Sequence, residues 1–249
     1  MLVNKNTGIS SSKVLLVPYC SHHVPRYHEW MKDPEIQIAT ASEPLTLEEE
    51  YSMQRSWRYD ADKLTFITCL PLSSSLYSPE KRENGTAISV DPTHDDAPER
   101  MLGDVNLFLK YADEDDEDDG ILPAVVGEIE LMIAEKVNQR RGFGRASLIC
   151  FLRYIVAHER EILHEFLSGQ NRQKAREEKF AYLVVRIGAT NVRSLALFES
   201  IGFQRVREEP NYFGELELRL YGVQEHVITD LMERYEVKEY DEVLYDPSD

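Results

Sequence analysis

Gln139-Arg140-Arg141-Gly142-Phe143-Gly144 separates two stretches of different period. Before it, 125–134 (Val-Val-Gly-Glu-Ile-Glu-Leu-Met-Ile-Ala) reads as a strand. After it, 145–166 reads as one long amphipathic helix, with Leu148, Leu152, Ile155 and Val156 on one stripe. A helix that opens on glycines after a strand and a short turn is an anion-binding geometry. Its first N–H groups have no partner within the helix, and its dipole places partial positive charge there. Glycine keeps side chains out of the approach. Lys136, Arg140, Arg141 and Arg145 add cations with no acid between them.

Three kinds of phosphate turn compete for this stretch. A P-loop ends in Gly-Lys-Ser or Gly-Lys-Thr, whereas Gly144 is followed by Arg145 and Ala146. A dinucleotide turn needs a third small position, where this chain offers only Ser147, and no doubly wound repeat follows. The pattern Gln/Arg-x-x-Gly-x-Gly/Ala fits at every fixed position. It resembles the acyl-CoA motif of the GNAT family of N-acetyltransferases. Downstream, 182–187 reads as a strand. It is followed by Asn191-Val192-Arg193-Ser194-Leu195-Ala196-Leu197-Phe198-Glu199-Ser200-Ile201-Gly202-Phe203, a short helix capped by Asn191 and closed by Gly202. This is similar to the GNAT pattern of Asn-x-x-Ser, an aromatic, then Gly-Phe. An insertion near Gly169 accounts for the longer spacing between the two motifs.

The remaining chain bounds the reading. At 249 residues it can bury a substantial core. A formal net charge of −17 argues against nucleic-acid binding and suits a basic partner. No apolar run reaches membrane-spanning length, and the first residues lack a signal peptide's apolar stretch. Cys20, Cys69 and Cys150 have no metal-ligand spacing; buried thiols in a reducing, cytoplasmic compartment are expected, and no metal.

Lys13 to Pro18 reads as a short strand and His22 to Lys32 as a helix ended by Asp33-Pro34. His22 and His23 are adjacent, so as first-turn residues they do not form a site. Thr46-Leu47-Glu48-Glu49 is a capping box for a helix to about Tyr59, and 64–69 is a strand. Residues 71–99 lack periodicity and read as a flexible insertion. Residues 102–109 alternate, with Val105, Leu107 and Leu109 opposed to Asp104, Asn106 and Phe108. The run 113–120 is nearly all acid. It fails as a calcium loop, because the closing glutamate position holds Val126, and a solvated hairpin tip is the better account. In 125–134, Glu128 and Glu130 share one face. Strands at 204–207 and 213–221, a helix at 223–235 and a mobile acidic tail from about 236 complete the chain.

The order of these elements is that of the GNAT fold. Val24-Pro25-Arg26-Tyr27-His28-Glu29-Trp30-Met31, Thr40-Ala41-Ser42-Glu43-Pro44-Leu45-Thr46, Gly103-Asp104-Val105-Asn106-Leu107-Phe108 and Gly127 to Glu135 resemble the N-acetyltransferase 9 group within that family. The resemblance implies an α+β acyl-CoA N-acyltransferase fold. One domain spans 1–249, with a central twisted mixed sheet flanked by helices and loops inserted at about 71–100, 111–123 and 168–179. It implies direct acetyl transfer from acetyl-CoA to an amine of a protein or peptide, for example a cytoskeletal one. It places pantetheine against Met132, Ile133 and Ala134, in a splay between 125–134 and the next strand. The pyrophosphate falls on the backbone N–H groups of Arg140, Arg141, Gly142, Phe143, Gly144 and Arg145, and Gln139 joins them in binding the cofactor. Asn191 meets the cofactor, and Ser194 lies near its sulfur. Glu130 or Glu128 removes the amine's proton, while Glu43 and Asn106 contact the substrate. Many GNAT enzymes carry a tyrosine as general acid where this chain has Phe198. A weakly active scaffold acting through acidic surfaces is therefore the alternative function, and a small-molecule amine acetyltransferase is a third.

Overall fold

The structure, a computed structural model, describes residues 1–40, 42–72, 89–92, 94–112, 124–170 and 179–246. The strands are β1 (Thr7–Ser10), β2 (Leu15–Pro18), β3 (Lys63–Cys69), β4 (Ser89–Val90), β5 (Met101–Tyr111), β6 (Val125–Ile133), β7 (Tyr182–Gly188), β8 (Gln204–Arg205), β9 (Glu215–Leu220) and β10 (Asp241–Tyr245). They form one sheet in the order β4-β10-β1-β2-β3-β5-β6-β7-β9-β8. It is mixed, because β6–β7 and β10–β4 pair in parallel while the other neighbours are antiparallel.

Helices α1 (Val24–Met31), α2 (Pro34–Ala39) and α3 (Leu47–Tyr59) cover one face, and α4 (Phe143–Ala157), α5 (Glu159–Gly169), α6 (Val192–Ile201) and α7 (Glu225–Arg234) the other. Strand alternation produces this layering. Val105, Leu107, Leu109 and Ile129 point into the core with α4, while Ile67, Met101 and Met132 point to α1. Helix α4 is apolar on nearly every side, with Leu148 through Leu152 all buried, so it is the central buried helix. The capping box of α3 forms as expected, Thr46 N–H donating to Glu49 Oε2 at 2.8 Å and Glu49 N–H to Thr46 Oγ1 at 3.3 Å.

Several expectations change. The helix expected over 145–166 is two, broken at His158, whose backbone leaves helical values (φ −114°, ψ 20°). His158 Nε2 bonds Glu242 Oε2 at 2.8 Å, and its ring lies 4.3 Å from that of Tyr154. The break turns α5 so that Ile162, Leu163 and Phe166 enter the core. The acidic tail is not mobile over 241–245. It forms β10, paired to β1 from Thr7↔Leu244 to Ser10↔Asp241, with Val243 and Tyr245 buried. The flexible reading of 71–99 is overturned around Asp95, Asp96 and Ala97, which are buried. β1 and α2 were not foreseen; Asp33, expected only to end α1, also caps α2 through Glu35 N–H at 2.8 Å. The acidic run 113–120, residues 73–88 of the 71–99 insertion, and 171–178 of the insertion at about 168–179 lie outside the described residues.

Candidate active site

Arg140 (φ 62°) and Gly142 (φ 89°) take left-handed backbone, which turns the chain sharply from β6 into α4. The first bond within α4 runs from Ala146 N–H to Gly142 O at 3.0 Å, so the amides of Phe143, Gly144 and Arg145 precede the helical ladder. A Cβ on Gly142 would meet nothing within 4 Å, so the approach to these amides is open. Gln139 Nε2 donates to Ile133 O at 3.0 Å and ties the turn to the end of β6. Arg140 and Arg141 are exposed. The Arg145 guanidinium lies 4.4 Å from the Tyr235 ring centroid, and its buried Nε has no hydrogen-bond partner. Lys136, taken from sequence as part of an uncompensated cationic group, instead pairs with Glu35 at 2.7 Å. Bare amides, open space and exposed guanidinium groups fit a diphosphate.

β6 and β7 pair only at Val126↔Tyr182, Gly127↔Leu183 and Glu128↔Val184. Beyond Glu128 they separate, while the other edge of β6 stays bonded to β5 as far as Gly103↔Ile133. The backbone of 129–133 therefore faces a gap. Met132 and Ala134 bury their side chains against α1, and Ala134 N–H is bonded to Leu102 O, so a ligand in the gap meets this strand through its backbone. Asn191 caps α6 through Ser194 N–H at 3.2 Å. Gly144 looks toward Ile133, Leu131 and Leu197, which a Cβ there would meet at 3.5–3.9 Å.

The carboxylates do not share one environment. Glu130 is directly opposite Asn106 and diagonal to Asp104, whereas Glu128 is opposite Phe108, diagonal to Asn106 and further from Asp104. The Glu128 carboxylate accepts from Arg186 Nη1, with Lys110 Nζ 3.6 Å away, and Arg186 also donates to Glu217 at 2.9 Å. Glu130 makes no ion pair among the described residues. Desolvation by the surrounding protein, then the negative charges of Asp104, Glu128 and Glu215, push its carboxyl up to about 7. Its side chain stays open to water on the outer side, which tempers this rise. Asp104 is buried; it accepts from Tyr27 OH at 3.3 Å and Asn106 Nδ2 at 2.8 Å, and desolvation raises it to about 6 against those bonds. An exposed carboxyl near neutrality beside a gap in the sheet can take a proton from an ammonium ion.

Other residues fall elsewhere. Glu43 is exposed in the loop before α3 and joins none of these clusters. Phe198 is in the core, its ring edge-on to Phe203 at 5.2 Å. His22 and His23, dismissed from sequence because they are adjacent, converge in a 3₁₀ turn, each placing Nε2 3.0 Å from Asp96 Oδ2. Tyr245 OH donates to the same oxygen at 2.6 Å. Cys20 N–H donates to His23 Nδ1 at 3.0 Å, so His23 carries its proton on Nε2 and gives it to Asp96. That favours a carboxylate holding several donors over a metal centre. A solvent-open pocket lined by Ile155, Phe180, Leu183, Leu220 and Val223 lies at the start of β7, away from the gap. Sequence reasoning missed the bond from Tyr27, which an apolar helix face disguises, and the burial of Asp104, which alternation made resemble an outward residue.

Comparisons with known proteins agree with this geometry. Residues 13–204 match the family described as Acetyltransferase (GNAT) domain. The chain is 39% identical to the N-acetyltransferase 9-like protein of Schizosaccharomyces pombe over 235 residues, 88% of this chain and 98% of that one. It is 39% identical to the human alpha/beta-tubulin-N-acetyltransferase 9 over 221 residues, 88% of this chain and 86% of the relative. Among solved structures, spermidine N-acetyltransferase from Vibrio cholerae, in complex with CoA and spermine, shares the fold with a TM-score of 0.52 and 13% identity, over 87% of this chain and 99% of that one. The chain belongs to the GNAT family of acetyltransferases, enzymes that use acetyl-CoA to acetylate an amine.

Proposed function

We propose that this chain acetylates an amine of a protein, that tubulin is the acceptor class to test first, and that Glu130 removes the amine's proton. The observation that carries this is the early end of β6–β7 pairing at Glu128↔Val184, which opens the sheet beside Glu130. The acceptor follows from relatives named for alpha/beta-tubulin at 39% identity. An acidic chain with Glu130, Asp104, Glu215 and Glu217 on or near this face suits a cationic amine.

The amides of Phe143, Gly144 and Arg145, with Arg140 and Arg141, hold the diphosphate of acetyl-CoA, while the backbone of 131–133 and Asn191 align its pantetheine arm. Acetyl-CoA supplies the acetyl thioester: the amine nitrogen forms a bond to the acetyl carbon, the C–S bond breaks, and the thiol departs with one of the amine's protons. Glu130 accepts the other proton, which makes the nitrogen lone pair available, and returns it to water. Asn106 orients the amine, and Ser194 is the hydroxyl assigned to the leaving sulfur.

The test is incubation of the purified chain with acetyl-CoA and either tubulin or a peptide library of varied first residues, read by mass spectrometry. The expected result is a single acetyl group on an α-amine or lysine. Glu130→Gln lowers turnover about 10²–10⁴-fold, the ordinary yield of a general base, with acetyl-CoA affinity nearly unchanged. Absence of coenzyme A uptake by calorimetry would overturn the enzyme reading. A biological effect that survives Gly142→Trp would favour the scaffold.

A further inference from the structure

Next to Glu130 lies a second carboxyl that the transfer scheme leaves idle. Asp104 is 3% exposed, and no Lys or Arg pairs with it among the described residues. A buried carboxylate without a cation is costly unless its oxygens are fully hydrogen-bonded. Its side-chain donors, Tyr27 OH and Asn106 Nδ2, are both neutral. The surroundings are themselves incompletely satisfied. Asn106 Oδ1, Thr65 Oγ1 and Tyr19 OH are buried without partners, and Thr65, Asn106 and Glu130 form one cross-strand row. A purely structural acid is expected among saturated neighbours. Here the spare acceptors and hydroxyls lie along the row that ends at Glu130. Asp104 is the diagonal neighbour of Glu130 across an antiparallel pair, roughly 7–8 Å away by backbone geometry.

We propose that Asp104, clasped by Tyr27 and Asn106, is a positioning residue whose buried negative charge decides when Glu130 is free to take the substrate's proton. This rests on the reading of Glu130 given above. The other charges facing Glu130 are accounted for. Glu128 on its own strand is held by Arg186 of β7 and Lys110 of β5, and Arg186 also holds Glu217 of β9. Glu215 of β9 is a weaker influence than Asp104 or Glu128. From the helices come Tyr27 of α1 and a pair formed by His28 of α1 and Glu50 of α3, 3.8 Å apart. Among the described residues Asp104 and Glu215 are the acids of this set without a cationic partner, and Asp104 is the buried one. While it is ionised, Glu130 keeps its proton to higher pH. An arriving ammonium offsets the charge of Asp104, so Glu130 loses its proton to water and accepts the substrate's.

The experiment is the pH dependence of kcat/KM for the full chain, Asp104→Asn and Tyr27→Phe, with acetyl-CoA and the acceptor peptide identified by mass spectrometry. In Asp104→Asn the acid limb moves down by about 0.5–1.5 pH units, the size of one unit charge at this separation. In Tyr27→Phe it moves the same way by less, because Asp104 then ionises less readily. A purely structural role lowers kcat/KM at every pH with the limb in place; that result, or an upward move, overturns the proposal. If near-UV circular dichroism shows Asp104→Asn unfolded, Tyr27→Phe decides. If the wild-type chain transfers no acetyl group, the functional reading fails on its own, and ¹³C NMR titration of the Glu130 carboxyl tests the coupling. A midpoint lowered in the variants supports it, and an unmoved midpoint overturns it.

Discussion

The two glycines of the phosphate turn carry different burdens. Gly142 sits at φ 89°, where a side chain is strained even though the space is open. Gly144 is helical, and a Cβ there makes only ordinary contacts. Gly142→Ala is expected to destabilise the fold by about 1–2 kcal/mol through its left-handed backbone. Gly144→Ala is expected to stabilise it by about 0.5–1 kcal/mol through helix propensity, with coenzyme A binding retained. Urea unfolding and calorimetry on both variants check the pair, and equal effects would contradict it. The sharp turn at Gly142 and the strand position of Glu130 were legible in the sequence, because a glycine turn after an alternating strand specifies both. The state of Asp104 was not, since alternation assigns a face but cannot say whether a helix covers it. The convergence of His22, His23 and Tyr245 on Asp96 was hidden as well, because its members are scattered along the chain.

Among the elements, β5 and β6 are pressed together at Gly103, where β6 runs along the far end of the gap. A Cβ on Gly103 would lie 1.8 Å from Met132 O, so the strands must shift to admit one. Gly103→Ala is expected to cost about 1–3 kcal/mol by overpacking and to weaken coenzyme A binding, because the displaced backbone is the one facing the gap. Thermal unfolding and calorimetry read the two effects. The junction of α4 and α5 carries a pH term. The hydrogen bond to Glu242 raises His158 above its ordinary value, and the bond to His158 helps lower Glu242. The His158 contribution is therefore complete below about 6.5, its unfolded value, and is lost as pH rises through the raised one. In the His158→Gln variant, stability measured from pH 6 to 8.5 is expected to lose that decline. The capped helices were legible from Thr46, Glu49, Asn191 and Gly202. The α4–α5 break was not, since no glycine or proline marks it and His158 is held by a residue far along the chain.

At the scale of the molecule, Asp96 joins elements remote in sequence: the 3₁₀ turn before α1, the segment before β5, and β10. Hydrogen bonds from His22 and His23 hold its carboxyl well below the ordinary carboxylate range, against the opposing effect of burial. Its stabilising effect is thus present above about 3.9 and persists into more acidic solution until pH falls through the lowered value. Tyr245→Phe removes one donor to this charged group and is expected to cost about 1.5–3 kcal/mol, measured by urea unfolding at neutral pH. The sheet's centre was legible from its motifs. The β10 side was not, because Asp241, Glu242 and Asp246 around Val243 and Tyr245 look like a solvated tail until β1 lies beside them.

That last pairing has a consequence for self-association. Gly8 lies against Val243, so the zipper between β1 and β10 closes a loop nearly as long as the chain. Without β10, β1 presents one bare edge, a template for unwanted strand partners. A chain that loses β10 is accordingly expected to associate through that edge rather than keep partial activity.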